Sequence, residues 1–350
     1  MLLVGLVGLP NAGKSSLFNL LTKRSVPAEN FPFCTIDPHD GIVEVPDIRV
    51  KKLAEISNSQ KEIYSAIEFR DIAGLVKNAH KGEGLGNQFL GHIQEVDLIL
   101  LVVRSFVNPD IIHVENRVNP KEDEEILILE LTLADQQKLE KQIPKLEKDA
   151  KTIPLAKQKL QIGNQILEKL KNMLPARDLI LDINIDKEIL NWRKSLNLLT
   201  DKPILKLANI SADCENISYE SDFNIDIKIE QEVSEMTKEE RIELGLEQET
   251  GLDKMIRACY QKLDLCTYLT CGEKEARSWT FTKGMTAPQC AGKIHSDFEK
   301  HFIKAEVVKY PDFIRVTSWK NAFEQGLVKT NGKDYLFEDG DVVEFKIGKT

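Results

Sequence analysis

The stretch Gly8-Leu-Pro-Asn-Ala-Gly-Lys-Ser15 limits what this chain can fold into more than any other. It matches G-x-x-x-x-G-K-[S/T] and sits between two informative neighbours. Leu2 to Val7 is a short apolar run of buried-strand type, and Leu17, Phe18, Leu20 and Leu21 follow with helical spacing. Strand, glycine loop and helix in that order form a phosphate cradle. Gly8 and Gly13 let the backbone curl so that its N–H groups turn inward, and the positive end of the following helix adds to the anion site. The predicted nucleotide-binding residues here are Asn11, Ala12, Gly13, Lys14, Ser15 and Ser16. Lys14 is expected to reach the β- and γ-phosphates and to act in catalysis, and the Ser15 hydroxyl to ligate Mg²⁺.

Three further segments fall at the distances such a loop requires. Thr35, in a proline-bounded loop ahead of a strand near Gly41 to Val45, is placed to add a second hydroxyl to Mg²⁺. Ser65 to Arg70 alternates like a strand and ends in Asp71-Ile-Ala-Gly74. An aspartate at the carboxyl end of a parallel strand can hold the metal through water, and the Gly74 N–H can approach a γ-phosphate. The glycines at 82, 84 and 86 then predict a hinged loop. Leu75 stands where Ras-like hydrolases place the glutamine that orients water, so hydrolysis is expected to be slow or to use another group. His113, just beyond the strand Leu98 to Val103, is the candidate, against the plainer reading of a surface or packing histidine.

A later strand over Lys202 to Ile210 ends at Asn209. Guanine-specific hydrolases continue such a strand into Asn-Lys-x-Asp, whose aspartate accepts from the guanine N1–H and amine. This chain reads Asn209-Ile-Ser-Ala212, with Asp213 one place late. Asn209 can still bond a purine N7, and the Ile210 backbone is its neighbour at the base. Ala212 cannot read guanine, so ATP is the expected ligand and GTP the weaker one.

With 350 residues, two domains and an insertion are expected. No apolar run is long enough to span a bilayer, and the apolar start runs straight into the phosphate loop without a basic leader, so neither a membrane partner nor a cleaved signal is predicted. Six scattered cysteines without a Cys-x-x-Cys pair predict reduced thiols in the cytosol and no zinc site. A net charge of −9 argues against non-specific binding to nucleic acid by the whole surface, and no DNA partner is expected.

Between the nucleotide-binding strands lies a charged helical stretch. Leu139, Ile143, Leu146, Ala150 and Ile153 make one heptad seam, and Leu160, Leu167 and Leu174 with Leu170 a second. Pro154 sits at the turn, which predicts an antiparallel hairpin, and Pro144 should kink its first helix. Residues 137–171 hold nine lysines and four acids, net +5, which suits either a solvated face or an RNA contact. Asp253 to Leu263 reads as an amphipathic helix. From Cys266 onward the chain becomes strand-rich, with one helix expected over Ala287 to Phe302 and a hairpin at the turn ending in Asp341. That is a β-grasp arrangement, without a catalytic constellation.

These residues together resemble the YchF/Obg-like ATPase family. The matching runs are the phosphate loop through Ser16, Asn30-Phe-Pro-Phe-Cys-Thr-Ile, Asp71-Ile-Ala-Gly-Leu-Val-Lys, Lys81-Gly-Glu-Gly-Leu-Gly-Asn-Gln-Phe-Leu, Leu131-Thr-Leu-Ala-Asp and the segment from Ala287 to Lys300, which resembles a TGS domain. The resemblance runs essentially end to end. It implies a Ras-like α/β P-loop domain over 1–121 and 198–265, a coiled-coil insertion over 122–197 and a β-grasp TGS domain over 266–350. It also implies slow, Mg²⁺-dependent ATP hydrolysis in the cytoplasm and association with ribosomes, ribosomal RNA or translation factors. Leu75 and His113 match the family's hydrophobic residue and its histidine. An asparagine at Asn11 goes with K⁺ stimulation in related hydrolases. The family's Asn-x-x-Glu run is broken here at Ala212. A GTP-preferring enzyme of the Obg class, or a nucleotide-stabilised RNA-binding scaffold without turnover, are the rival readings.

Overall fold

The computed structural model describes residues 2–23, 40–72, 85–113, 117–179, 185–246 and 249–348. Thr35, Gly74, Leu75 and most of the glycine-rich loop lie outside them.

The N-terminal half runs β1 (Leu3–Val7), α1 (Lys14–Thr22), β2 (Asp40–Glu44), α2 (Ile48–Ser57), β3 (Glu62–Ile63), β4 (Ala66–Asp71), α3 (Leu85–Glu95), β5 (Leu98–Arg104) and β6 (Phe106–Val107). It continues through α4 (Pro120–Asp149), α5 (Pro154–Lys171), α6 (Lys187–Ser195), β7 (Ile204–Asn209), β8 (Glu215–Asn216), β9 (Phe223–Ile225), α7 (Ile227–Glu235), α8 (Lys238–Glu243) and α9 (Gly251–Lys262). The strands make a six-stranded sheet in the order β2-β4-β1-β5-β7-β9. All pairs are parallel except β2 with β4. Every residue of β5 is buried, as befits a central strand covered on both faces. Leu98, Leu100 and Val102 meet α1 and α9 on one face, while Ile99, Leu101 and Val103 meet α3 and α4 on the other. From β1 the chain crosses first to β4 on one side and then to β5 on the other. Such a switch point opens a crevice at the carboxyl ends of the strands, where the phosphate loop lies.

The helical hairpin forms as expected, with Pro154 opening α5. At 1.5 Å per residue the 30-residue α4 is about 45 Å long, and it serves two cores. Leu127 and Leu131 pack against the sheet, whereas Leu139 packs with Ile162, Ile166 and Leu170 of α5 and Ile189 of α6. Pro144 is exposed within α4, which continues to Asp149. The second seam differs from expectation. Leu174 lies beyond the end of α5 and is exposed, and Ile162, Gly163 and Ile166 form the buried side in its place. A Cβ on Gly163 would come within 3.2 Å of Ile143 Cδ1, so the glycine leaves room for that side chain of α4.

The C-terminal half runs β10 (Leu265–Cys271), β11 (Ala276–Thr282), α10 (Ala287–Ile294), α11 (Ser296–Lys300), β12 (Phe302–Lys309), α12 (Tyr310–Val316), α13 (Trp319–Glu324), β13 (Lys329–Asn331) and β14 (Asp341–Ile347). Its sheet order is β13-β12-β14-β10-β11-β3, so the last strand comes from the N-terminal half. Helix α2 also belongs to this side, with Val50, Leu53 and Ala54 packed against Leu269, Val308, Phe313 and Val342. Two expectations are corrected. The single helix over Ala287 to Phe302 is broken at His295, whose extended backbone and ring nitrogen cap α11 through the Asp297 N–H at 3.2 Å, and Phe302 opens a strand. The turn ending in Asp341 closes no hairpin, because β14 pairs with β12 and β10 rather than with its predecessor β13.

Candidate nucleotide site

The site is built at the carboxyl end of β1. Asn11 and Gly13 have φ of 64° and 104°, the left-handed turns that curl the loop around its own N–H groups. A Cβ on Gly8 would lie 2.2 Å from the Val102 carbonyl oxygen, so only glycine lets the loop pass over β5. Lys14 is buried and donates to the Leu9 carbonyl at 3.0 Å. Burial pushes its pKa below the ordinary amine value, with Asp71 pulling the other way.

Ser15 Oγ donates to Asp71 Oδ2 at 2.8 Å, which joins two of the three predicted metal residues, one from the start of α1 and one from the end of β4. The other carboxylate oxygen, Asp71 Oδ1, is buried and has no hydrogen-bond partner among the described residues. A hydroxyl beside a carboxylate with an unpaired buried oxygen suits a hard divalent cation, so the residues present fit a metal here.

Asn209, at the end of β7, lies over the same loop. Its Nδ2 donates to the Ala12 carbonyl at 3.0 Å, so the end of β7 braces the phosphate loop. Beyond it opens a cleft of about 470 Å³ lined by Asn11, Gly13, Ser16, Phe106, Asn209, Ile210 and Asp226 among others. The Ile210 N–H is committed to the Ile225 carbonyl at 3.0 Å. Both carboxylates lining this cleft are also engaged. Asp226 caps α7 and accepts from the Ala212 N–H at 2.7 Å, and Asp213 pairs with Lys228 at 2.8 Å.

Sequence reasoning missed the residue that shapes the near wall. Arg104 ends the apolar strand β5 and is 1% exposed. Its guanidinium donates to the carbonyls of Phe106, Asn108 and Ile111 at 3.1, 2.8 and 2.8 Å. That template folds the 105–113 loop against the cradle, where Asn11 Nδ2 donates to the Ile112 carbonyl at 2.9 Å. A single charged residue closing a run of six apolar strand residues was the available signal. His113 follows directly and is buried, with Nε2 3.1 Å from Asp123 Oδ2. Arg117 lies 3.3 Å from the other Asp123 oxygen. Burial raises the Asp123 pKa, opposed by His113 and Arg117.

A glycine cradle at a sheet switch point, a buried lysine and a serine–aspartate pair define a P-loop nucleoside triphosphatase. The match to known proteins is narrower than that class. A family model described as a 50S ribosome-binding GTPase covers residues 3–153, and YchF-GTPase_C, described as a protein of unknown function, covers residues 265–348. The ribosome-binding ATPase YchF of Bacillus subtilis is 46% identical over 368 residues, covering 99% of each chain. That of Mycoplasma genitalium is 44% identical and covers both chains completely. The solved YchF GTPase of Schizosaccharomyces pombe superposes with a TM-score of 0.85 at 35% identity, covering 99% of this chain and 97% of that one. The chain belongs to the YchF family.

Proposed function

We propose that this protein is a slow, Mg²⁺-dependent ATPase that acts as a nucleotide-controlled switch on ribosomes in the cytoplasm. The observation that carries the ATP assignment is the base cleft. Guanine selectivity needs a free carboxylate facing its N1–H and amine. Position 212 is alanine, Asp226 is committed to the Ala212 N–H and to capping α7, and Asp213 stands one place late and pairs at the surface with Lys228. Asn209 retains a second amide hydrogen and its oxygen for a purine edge. The descriptions of YchF relatives as ribosome-binding ATPases support both the nucleotide and the partner.

Within the cradle, the loop N–H groups and Lys14 hold and neutralise the phosphates, and Ser15 with Asp71 would hold Mg²⁺, joined by Thr35. Bound there, the metal would supply charge neutralisation for the phosphates. Gly74 adds a γ-phosphate contact. Leu75 cannot orient water, so turnover is slow and His113 is the catalytic candidate, its ring set by Asp123 in the manner of a base oriented by a third group.

A GTP preference is the second reading, favoured by the GTPase descriptions of the 3–153 family model and the yeast structure. Displacement of a fluorescent ATP analogue by unlabelled ATP and GTP separates the two, with ATP expected to compete at least tenfold better. A tenfold preference for GTP ends the ATP assignment. Phosphate release by wild type should exceed that of Lys14→Ala and His113→Ala. Equal release from wild type and Lys14→Ala would make the protein a binder without turnover.

A further inference from the structure

The hairpin carries a charge asymmetry that nucleotide chemistry does not use. Residues 137–171 have a net charge of +5 in a chain of −9, which leaves −14 for everything else. Residues 120–136 of α4 hold one lysine and six acids, so the positive charge is confined to the distal part of the arm, and only there is an RNA surface attracted.

The positive charge is also sorted in space. Lys138, Lys141, Lys145 and Lys148 recur at intervals of three, four and three residues along α4. At 3.6 residues per turn they fall within an arc of about 80°, opposite the side formed by Leu139, Ile143, Leu146 and Ala150. Glu140 and Glu147 lie on one flank, where Glu140 accepts from Gln136, and Asp149 borders the arc on the side of Lys138. Lys141, Lys145 and Lys148 are exposed. Among the described residues none of these three has an ion-pair partner, whereas Lys138 donates to the Asn197 carbonyl and Lys159 pairs with Glu188. Like charges three and four residues apart destabilise a helix. A merely solvated face interleaves its signs, as α8 does with Lys-Glu-Glu-Arg. The four lysines span about 15 Å on a continuous helix.

We propose that the outward face of α4 is the surface by which this protein grips the phosphate backbone of ribosomal RNA, an inference that rests on the ribosome reading above. The contact is to phosphates and carries no sequence information by itself.

The test is co-sedimentation with purified ribosomes across a salt series. It compares wild type, the triple variant Lys141→Gln/Lys145→Gln/Lys148→Gln, and the control Lys274→Gln/Lys283→Gln/Lys333→Gln with the same charge change elsewhere. Each lost phosphate contact lowers the slope of log K against log salt by about 0.7–0.9, so the stripe variant should lose about 2–3 from the slope and bind at least about tenfold more weakly. The control should match wild type, and circular dichroism and basal hydrolysis should be unchanged in both. A stripe variant that pellets with the wild-type slope overturns the inference and leaves ribosome binding intact. A wild type that does not pellet removes the ribosome reading and this inference with it. Stripe-dependent binding to protein-free ribosomal RNA supports the RNA contact. Stripe-dependent pelleting without binding to that RNA overturns it in favour of an acidic ribosomal protein.

Discussion

Gly13→Ala tests the link between the phosphate cradle and the base strand. Two separable effects follow from the geometry. The backbone at Gly13 has φ of 104°, which costs a residue with a Cβ about 1–3 kcal/mol. The new methyl would also lie 2.4 Å from Asn209 Nδ2 and 3.1 Å from Ile227 Cδ1, displacing the amide from the Ala12 carbonyl. That lost hydrogen bond adds about 1 kcal/mol. The expected total is about 2–4 kcal/mol, read as a loss of thermal stability and of nucleotide affinity by calorimetry. In an Asn209→Ala background the clashing amide is gone, and only the backbone part and the Ile227 contact remain. The double-mutant cycle should therefore show a coupling of about 1 kcal/mol, with Gly13→Ala less damaging in the double variant. Additivity within about 0.5 kcal/mol would mean that Asn209 does not brace the loop, and the reasoning would fail.

Other perturbations read other parts of the structure. Arg104→Met strips three part-buried carbonyls of a charged donor, and should destabilise the protein by about 2 kcal/mol and weaken nucleotide binding, measured by denaturant unfolding and by titration. Asp135→Asn should cost about 2–3 kcal/mol, because its buried carboxylate accepts from Leu199 N, Thr200 N and Thr200 Oγ1. Burial raises the Asp135 pKa above 3.8, so the folded state holds the proton more tightly than the unfolded one. Wild type's stability advantage over Asp135→Asn should then be largest below pH 3.8 and decline as pH rises through the folded value, as unfolding across a pH series would show. Arg49→Ala removes the link between Asp47 and Asp339 that joins α2 to the C-terminal half. The group is partly exposed, so about 1 kcal/mol is expected, seen as faster limited proteolysis near Leu265 with nucleotide binding retained.

The phosphate cradle was legible because its demands are local. A left-handed glycine, a lysine and a hydroxyl at fixed offsets between an apolar run and a helix leave one arrangement, and Ser15 meets Asp71 as the spacing to Asp71 implied. The two-faced burial of β5 was likewise written in its unbroken apolar run. What escaped depends on contacts between distant segments. Nothing near Val50 and Leu53 reveals that α2 packs under the C-terminal sheet, because its apolar spacing would suit any core. Strand β3 is two residues long, too short for periodicity to register, yet it completes the edge beside β11. The helix from Ala287 was extended through His295 because nothing there is a strong breaker. The extended backbone at that residue is stabilised by its own ring accepting the Asp297 N–H, a cap that a histidine does not advertise. Arg104 and Asp135 share this character. Each is a charged side chain in an apolar segment, and only the folded chain brings it the backbone carbonyls or N–H groups that make burial tolerable. Lone charges inside apolar runs therefore carry information even when no motif surrounds them. Here Arg104 shapes the wall of the cleft beside the phosphate loop, and Asp135 fastens the root of the helical arm to the turn that precedes β7.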